Sequence, residues 1–225
     1  KTLNAGQTCL APNHLIIQEK IKKPFLQKLE KVLLEFFGED PLNSPDLTQI
    51  INDHHFSRLL QLIEGGRKKK QIIFGGKVNN QRRLISPTVF DVSSIEDPLL
   101  SEELFGPLLP ILTFSNFSTL VKKMQKDPSP LAIYMFGGTT TEQKLLENQT
   151  RSGGICFNDV IMHAGIPNMP FGGVGFSGMG RYHGISGFET FSNKRAILKR
   201  PFILDFKLRY PPYKLNFSFL KRVLG

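Results

Sequence analysis

The spacing of apolar residues in the first third of the chain predicts two strands and two helices. Residues 15–17 form a short apolar run, which is typical of a buried strand. Residues 24–37 repeat apolar positions every three or four residues between a proline and a glycine, the pattern of a helix with its two ends. A second such helix is expected to begin at Asn52 or Asp53 and to stop at the glycine pair 65–66, and residues 71–74 predict another strand.

Strands and helices continue to alternate as far as residue 157. Strands are predicted at 85–92, 109–114, 131–136 and 155–157, and helices at 117–125 and 141–149. This alternation is typical of crossover units, so we predict an α/β fold with an open, mostly parallel sheet flanked by helices. Ligands of such sheets gather at the carboxyl ends of the strands, where loops project.

The positive charge of the chain is concentrated at one end. The 225 residues include 29 Lys and Arg against 19 Asp and Glu, a net charge of +10. Residues 181–225 hold ten basic and two acidic side chains, a net charge of +8, which leaves +2 for the first 180 residues. The main body is therefore nearly balanced, and its charge does not indicate a nucleic-acid-binding domain.

Composition excludes several other classes. The chain is 40% hydrophobic and 21% charged, as in ordinary globular proteins, and no run of about 18 apolar residues predicts a membrane span. Two cysteines cannot make a disulfide framework, and no His and Cys spacing indicates a metal site, so we expect a reducing compartment. The opening residues resemble the middle of a folded unit, and we expect the natural N-terminus to lie further upstream.

The stretch NAGQTCLAP, residues 4–12, places one of the two cysteines in a short polar loop ahead of the first strand. A free cysteine is commonly buried and inert, and Cys9 taken alone fits that interpretation. Gly6, however, permits close approach of the backbone to a ligand, and Gln7 and Thr8 are poor core residues. These neighbours favour an accessible thiol that acts as a nucleophile.

Three further motifs follow in order: SEELFGPLLPI at 101–111, PFGGVGFSGMGRYHG at 170–184 and LRYPP at 208–212. Together with NAGQTCLAP, they resemble the signatures of the aldehyde dehydrogenase superfamily. The MGRYHG ending and LRYPP are similar to family 3, the branch that includes fatty aldehyde dehydrogenases. The resemblance covers nearly the whole chain and corresponds to the C-terminal, catalytic half of such an enzyme.

The resemblance implies roles for three residues. Cys9 would attack the aldehyde carbonyl, and its backbone N–H would help to hold the oxyanion. Glu103 matches the glutamate that binds the ribose hydroxyls of NAD or NADP, and Phe105 matches the ring beside the nicotinamide; without the other motifs they would be a solvated acidic residue and a core residue. In the family, the main cofactor domain, the oxyanion asparagine and the water-activating glutamate precede the cysteine, so we expect them outside this chain.

Other residues with reactive or polar side chains are expected to be structural. GVGFSG at 173–178 matches a dinucleotide-binding pattern, but it lacks the preceding strand and the later acidic residue, so we expect a tight loop near the substrate entrance. Cys156 is predicted to be a packed core residue. The pair Asn158-Asp159 either lines the mouth of the active site or caps the next turn. His163 and His183 are expected in structural roles.

Three regions are predicted along the chain. Residues 1–186 form the catalytic domain, and residues 187–201, as the resemblance implies, form an extended strand that joins a partner subunit in a homodimer. Residues 202–225 form a basic, aromatic tail that fits either a peripheral contact with an anionic membrane or a flap over the substrate tunnel. The resemblance implies a cytoplasmic protein, with association to the endoplasmic reticulum or plasma membrane as an option.

These observations favour one function and leave two alternatives. The first is NAD(P)-dependent oxidation of medium or long aliphatic, or aromatic, aldehydes through a thiohemiacetal and a thioester on Cys9. The alternative is a non-catalytic dimerisation or regulatory fragment that lacks the cofactor domain. A basic binder of nucleic acid or membrane ranks third, because it rests only on the charge of residues 181–225; no nucleic-acid partner is expected.

Overall fold

The computed structural model describes residues 1–203, 210–212 and 217–224. The helices in these ranges are α1 (Lys22–Phe37), α2 (Asp53–Lys68), α3 (Phe117–Met124), α4 (Thr140–Gln149), α5 (Gly184–Thr190) and α6 (Phe217–Leu224). The strands are β1 (Leu15–Gln18), β2 (Ile72–Phe74), β3 (Val78–Asn79), β4 (Leu84–Ile85), β5 (Thr88–Asp91), β6 (Leu108–Phe114), β7 (Ala132–Met135) and β8 (Gly154–Phe157).

The central sheet has four strands in the order β1-β6-β5-β2. Strands β1 and β5 both run parallel to β6, with Leu15 opposite Ile111 and Thr88 opposite Leu108, whereas β2 is antiparallel to β5. A second sheet pairs β7 with β8 in parallel, and β3 and β4 form a small antiparallel pair. The predicted α/β fold with a mostly parallel sheet flanked by helices is therefore confirmed.

Helices cover both faces of the central sheet. Alternate side chains of a strand point to opposite faces, and β6 shows this directly. Leu108 and Leu112 join the apolar cluster that contains α2, whereas Leu109 and Ile111 join the cluster that contains α1. Because both faces are covered, β6 is an almost continuous apolar run rather than an alternating one.

The β7–β8 sheet divides its two faces in the same way. Ile133 and Ile155 belong to the apolar cluster that α3 and α4 complete. Tyr134 and Cys156 are register partners at the next positions, so their side chains lie on the opposite face. Cys156 is half-buried and does not belong to that cluster. The prediction of a packed core cysteine is thus wrong, because strand alternation turns it away from its apolar neighbours.

Two element boundaries differ from the predicted ones for identifiable reasons. Helix α2 continues through the glycine pair to Lys68, and a Cβ on Gly66 would come within 2.5 Å of the Phe90 ring. Gly66 therefore leaves room for the Phe90 ring of β5 to pack against the helix, and it does not end the helix. The strand predicted at 85–92 is divided into β4 and β5, with Pro87, which has no N–H for a sheet ladder, between them.

The strand predicted at 187–201 is not observed. Its first residues belong to α5, which ends at Thr190, and no strand is assigned to 191–201. The Thr190 hydroxyl donates to the Ser186 carbonyl oxygen one turn earlier, which supports a helix rather than an extended chain. A strand is defined by hydrogen bonds to a neighbouring edge, so pairing of this segment with a second subunit stays a prediction.

The chain divides into two compact units, Lys1–Thr190 and Phe191–Gly225. Much of the predicted tail lies outside the described residues, including 204–209, 213–216 and part of LRYPP. Within the second unit, α6 carries basic residues in its last turn. In the ranges given above, none of the helices combines the length and the apolar character needed to cross a bilayer.

Candidate active site

Cys9 lies in a tight turn between a 3-10 turn, Leu3–Gly6, and strand β1. The Ala11 N–H donates to the Thr8 carbonyl oxygen at 2.9 Å, so Cys9 and Leu10 occupy the two central positions of the turn. The Cys9 side chain is exposed. This placement favours an accessible thiol over a buried, inert one.

Gln7 anchors the entry to this turn. Its side-chain N–H donates to the Gln49 carbonyl oxygen at 3.0 Å, and its side-chain oxygen accepts from the Ile51 N–H at 2.9 Å. Asn4 and Ala5 have left-handed φ angles of 50° and 52°, which non-glycine residues seldom adopt. The loop that carries the thiol is therefore bent and then tied to the segment that leads into α2.

Gly6 brings the cysteine motif against the second motif. Its φ angle is +74°, and a side chain at this position would overlap the carbonyl oxygen of Gly106. Glycine is the residue that meets both conditions without strain. As a result, the segment that contains Glu103 and Phe105 lies against the loop that contains Cys9.

Arg58 of α2 and Asn13 hold the second motif in place. The Arg58 guanidinium donates to the carbonyl oxygens of Glu103 and Leu104, at 3.4 and 2.5 Å, and to the Glu102 carboxylate at 3.2 Å. The Leu104 N–H donates to the Asn13 side-chain oxygen at 2.8 Å. No local sequence pattern marks either residue, because each contacts a loop that is distant along the chain.

Glu103 and Phe105 both reach the surface of this segment. Glu103 is exposed, and Phe105 is 36% exposed with a left-handed φ of 44°, rare for a bulky residue. Burial lowers the pKa of the nearby Lys1 to about 8, and attraction to the Glu103 carboxylate opposes this shift. An exposed carboxylate beside a half-open ring suits sugar hydroxyls and a planar heterocycle, so these residues fit one wall of a dinucleotide site.

The face of the β7–β8 sheet that carries Cys156 borders the Cys9 turn. The Tyr134 hydroxyl on this face donates to the Leu10 carbonyl oxygen at 2.9 Å. Burial raises the pKa of Tyr134, and the charges of Cys156 and Cys9 raise it further. One tyrosine therefore lies close to both thiols, and nothing in its local sequence singles it out.

The pair Asn158-Asp159 makes local hydrogen bonds. The Asn158 side-chain oxygen accepts from the Gly137 N–H at 2.8 Å, and Asp159 accepts from the Val160 N–H at 2.7 Å. Both contacts stabilise the main chain just after β7 and β8. Of the two alternatives from the sequence, these bonds favour the one in which the pair caps a turn.

His163 and His183 flank an aromatic cluster. The buried His163 ring packs against the rings of Tyr134 and Phe171, each with centroids 5.9 Å apart, and burial lowers its pKa. Among the described residues, neither ring nitrogen of His163 has a hydrogen-bond partner. His183 Nδ1 lies 3.3 Å from the Met169 carbonyl oxygen. These contacts agree with structural roles.

Other candidate sites receive little support. GVGFSG forms a tight loop around the 3-10 turn Gly175–Ser177, and a Cβ on Gly173 would overlap the main chain of Ser177, so the loop lacks the strand-to-helix geometry of a dinucleotide-binding motif. Within the described ranges, no three His, Cys, Asp or Glu side chains group closely enough to hold a metal ion. A surface groove of about 490 Å³ beside α1 and β2 contains none of the predicted site residues.

Comparison with known proteins identifies aldehyde dehydrogenases as relatives of this chain. The model of the aldehyde dehydrogenase family matches residues 1–197. A 4,4'-diaponeurosporen-aldehyde dehydrogenase of Staphylococcus aureus is 37% identical over 98% of this chain and 48% of the relative. Aldehyde dehydrogenase family 3 member B1 of Rattus norvegicus is 42% identical over 93% of this chain and 44% of the relative. The chain spans about half the length of these relatives.

Solved structures agree with this result. The substrate-bound state of Staphylococcus aureus AldH has a TM-score of 0.82 and 36% identity, over 98% of this chain and 48% of that one. An NAD-dependent aldehyde dehydrogenase from Sinorhizobium meliloti has a TM-score of 0.77 and 27% identity, over 89% and 41%. From its motifs, its fold and these matches, the chain belongs to the aldehyde dehydrogenase family, with family 3 members among its relatives.

Proposed function

We propose that this chain carries the nucleophilic thiol of an NAD(P)-dependent aldehyde dehydrogenase that oxidises medium or long aliphatic, or aromatic, aldehydes. The observation that carries the proposal is the position of Cys9. Its side chain is exposed in a turn whose loop packs, at Gly6, against the segment of Glu103 and Phe105. Membership of the family supports aldehyde oxidation as the class of reaction.

In this proposal, the Cys9 sulfur acts as a thiolate and forms a bond to the aldehyde carbonyl carbon, while the carbonyl oxygen takes up the negative charge. The backbone N–H of Cys9 donates to that oxygen, and one such donor is worth roughly 10²–10³ in rate. NAD(P), when bound, supplies the acceptor for the hydride that leaves the carbon. Cys9 holds the acyl group as a thioester until water attacks it; the carbon–sulfur bond then breaks, and the thiol is restored.

Glu103 and Phe105 would form part of the cofactor site. Arg58 binds the Glu102 carboxylate and the main-chain oxygen of Glu103, so the Glu103 carboxylate is left to accept hydrogen bonds from ribose hydroxyls. The exposed edge of Phe105 would pack beside the nicotinamide ring. Both residues would orient the cofactor next to the Cys9 loop. Neither of them distinguishes NAD from NADP.

A fusion tests this proposal. The residues that precede the matched region in the Staphylococcus aureus relative are joined to Lys1, which supplies a cofactor-binding half. We expect aldehyde-dependent NAD(P)H formation, and we expect Cys9→Ser to lower its rate by at least about a thousandfold. The matched control, Cys156→Ser, should leave the rate nearly unchanged. Equal rates for the fusion with and without Cys9 would overturn the proposal and favour a non-catalytic module.

We also propose that residues 187–201 pair with a second copy in a homodimer and that residues 202–225 touch an anionic membrane, which would place a cytoplasmic protein at the endoplasmic reticulum or plasma membrane. Phe191 and Leu198 are about nine-tenths exposed, and α6 carries Lys221 and Arg222 in its last turn. Sedimentation should show a dimer that truncation after residue 186 dissociates. Flotation with phosphatidylserine vesicles should fail without residues 202–225.

A further inference from the structure

The Cys9 turn is anchored at both ends, and its second anchor comes from a distant strand. Gln7 ties the entry of the turn to Gln49 and Ile51, as described above. At the exit, the Tyr134 hydroxyl donates to the carbonyl oxygen of Leu10, the residue that directly follows Cys9, at 2.9 Å. Strand β7 thereby holds the peptide next to the thiol.

Tyr134 is itself held firmly. Its hydroxyl also takes part in a backbone hydrogen bond with Ile161, which has a left-handed φ of 67°, an outlier for a β-branched residue. Its ring packs edge-on against the buried His163 ring, with an interplanar angle of 68°. Main-chain ladder bonds to β8 fix its backbone. A donor with so little freedom can impose its position on the loop that it binds.

The Tyr134 hydroxyl must stay protonated if it is to donate to the Leu10 carbonyl oxygen. Burial raises the pKa of its hydroxyl above the ordinary value of 10.0, and the charges of Cys156 and Cys9 act in the same direction, while the bond with Ile161 opposes them. The hydroxyl therefore keeps its proton at neutral pH, including when a thiolate forms at Cys9. The hydrogen bond to Leu10 persists in the state that attacks a carbonyl.

We propose that Tyr134 is a positioning residue for Cys9: its hydroxyl holds the Leu10 carbonyl and so fixes the direction of the thiol and of the Cys9 N–H within the turn. This inference rests on the proposed function, because a fixed direction matters only if Cys9 adds to a carbonyl. Tyr134 touches no reacting atom and acts through the main chain of Leu10. A displacement of about 1 Å in a reacting group costs on the order of a hundredfold in rate.

The test compares Tyr134→Phe with Thr150→Val in the 225-residue chain. Each change removes a hydroxyl that donates to a carbonyl oxygen, that of Leu10 at 2.9 Å or that of Leu146 at 2.6 Å, and each keeps the shape of the side chain. Thr150 caps the end of α4, and its bond lies within that helix. The two variants therefore distinguish the loss of a hydrogen bond that holds the Cys9 turn from the loss of an ordinary hydrogen bond elsewhere in the chain.

The readout is alkylation of Cys9 by iodoacetamide at increasing octanal concentration, followed by peptide mass spectrometry. A thiohemiacetal protects the thiol, so the octanal concentration for half-protection measures how well Cys9 adds to a carbonyl. We expect Tyr134→Phe to raise this concentration about tenfold, the effect of one lost hydrogen bond, while the alkylation rate without octanal changes less than about twofold. Thr150→Val should change neither quantity.

The outcomes separate this inference from the proposed function. Equal half-protection in the Tyr134→Phe and unsubstituted chains overturns the inference alone. No protection of Cys9 by octanal in the unsubstituted chain also overturns this inference, whereas the proposed function is decided separately by the fusion with and without Cys9. An equal loss in Thr150→Val shows that Tyr134 acts only through general stability, which also overturns the inference.

A second measurement needs no variant. The Ala11 N–H closes the turn onto Thr8, and a turn held at both ends should protect this amide from hydrogen exchange. NMR of the unsubstituted chain should therefore show slow exchange at Ala11. Exchange as fast as in an open loop would contradict an anchored turn, whether or not Tyr134→Phe folds.

Discussion

The two cysteines of this chain lie in contrasting surroundings, although both are close to Tyr134. Cys9 is exposed at the centre of a turn, and hydrogen bonds from Gln7 and Tyr134 hold that turn to distant segments. Cys156 is half-buried within β8, beside its register partner Tyr134, and the ladder of a parallel sheet holds it. The same side chain thus occurs once on a constrained loop and once on a regular strand.

This contrast shows what a reactive position requires of its backbone. Alternation along β8 suffices to place Cys156, and no unusual conformation is needed there. The loop of Cys9 needs two left-handed residues, Asn4 and Ala5, and a glycine in contact with another motif. Such conformations cost of order 1–3 kcal/mol each and persist where the surrounding contacts enforce them, which is typical of functional sites.

Gly6→Ala should have the largest effect on the contrast between the two cysteines, because it disturbs the constrained loop that carries Cys9. Gly6 and Gly38 share a φ of +74°, but a Cβ would overlap Gly106 at the first and meet nothing within 4 Å at the second. Gly38→Ala should cost about 1–3 kcal/mol for its backbone conformation alone, because glycine is the residue that readily combines a φ of 74° with a ψ of −175°. Gly6→Ala should cost about 3 kcal/mol or more and raise the half-protecting octanal concentration for Cys9.

Urea unfolding and Cys9 alkylation measure both quantities for this glycine pair. Equal losses of unfolding free energy at the two positions would show that the contact between Gly6 and Gly106 contributes nothing. The Cys9 loop would then have no more constraint than an ordinary helix end.

A second glycine pair should separate stability from thiol reactivity. Gly66→Ala forces a methyl group against the Phe90 ring, 2.5 Å from its nearest atom, and should destabilise the chain by about 1–3 kcal/mol. Gly65→Ala, inside the same helix with nothing within 4 Å, should stabilise it by about 0.5–1 kcal/mol. In both variants, Cys9 should still be alkylated before Cys156. A change in that order, measured by peptide mapping, would contradict local control by the turn.

Arg58→Lys should produce a smaller effect on the second motif. A lysine lacks the fork that spans the Leu104 carbonyl and the Glu102 carboxylate, so we expect a loss of about 1–2 kcal/mol and faster amide exchange in residues 103–106. Arg82→Lys is the control, because the exposed guanidinium of Arg82 donates one hydrogen bond within the described residues, to the Leu42 carbonyl oxygen. If both variants lose the same free energy of unfolding, Arg58 does not fix the motif.

The smallest expected effect is a pH dependence of the free energy of unfolding. It comes from His163, whose ring packs against Tyr134, the register partner of Cys156. Burial lowers the pKa of His163 below its ordinary value of 6.5, so the unfolded chain binds more protons than the folded one as the pH falls through this region. The contribution of His163 to the free energy of unfolding should therefore be lost below about pH 6.5 and be fully retained above it. The pKa of His14 is lowered by burial too, which adds a slope of the same sign.

His163→Leu should flatten this dependence below pH 6.5, because it removes one of the groups whose pKa is lowered in the folded chain. His54→Leu, at an exposed position, serves as the control and should leave the slope as it is. Urea unfolding at a series of pH values between 5 and 8 gives the slope of each chain. An unchanged slope in His163→Leu would show that proton binding at His163 is not coupled to folding.

Most of the fold followed from the periodicity of apolar residues, because burial on one or two faces determines that pattern. The helices α1, α3 and α4 and the strands β1 and β6 lie within one or two residues of their predicted bounds. The small β3–β4 pair was not predicted, since two-residue strands have no period. The helix Gly184–Thr190 overlaps the first residues of the strand expected at 187–201, which the motif resemblance rather than periodicity suggested.

The candidate site was only partly predictable. Cys9, Glu103 and Phe105 came from recognisable motifs, and the exposure of Cys9 agrees with its predicted role, which stays to be tested. Arg58 and Tyr134 had no signal, because each acts on a loop that is distant in sequence and close only after folding. Sequence motifs indicate which residues react, whereas the residues that position them are identified only by contacts in the folded chain.

The most direct measurement compares protection of the two thiols by an aldehyde within one sample. The chain is alkylated with iodoacetamide in octanal, or in octanol as a control without a carbonyl, and both cysteines are followed by mass spectrometry. We expect octanal to slow alkylation of Cys9 and not of Cys156, and we expect octanol to slow neither. Equal behaviour of the two cysteines in octanal would contradict the claim that Cys9 is the residue that bonds to the substrate.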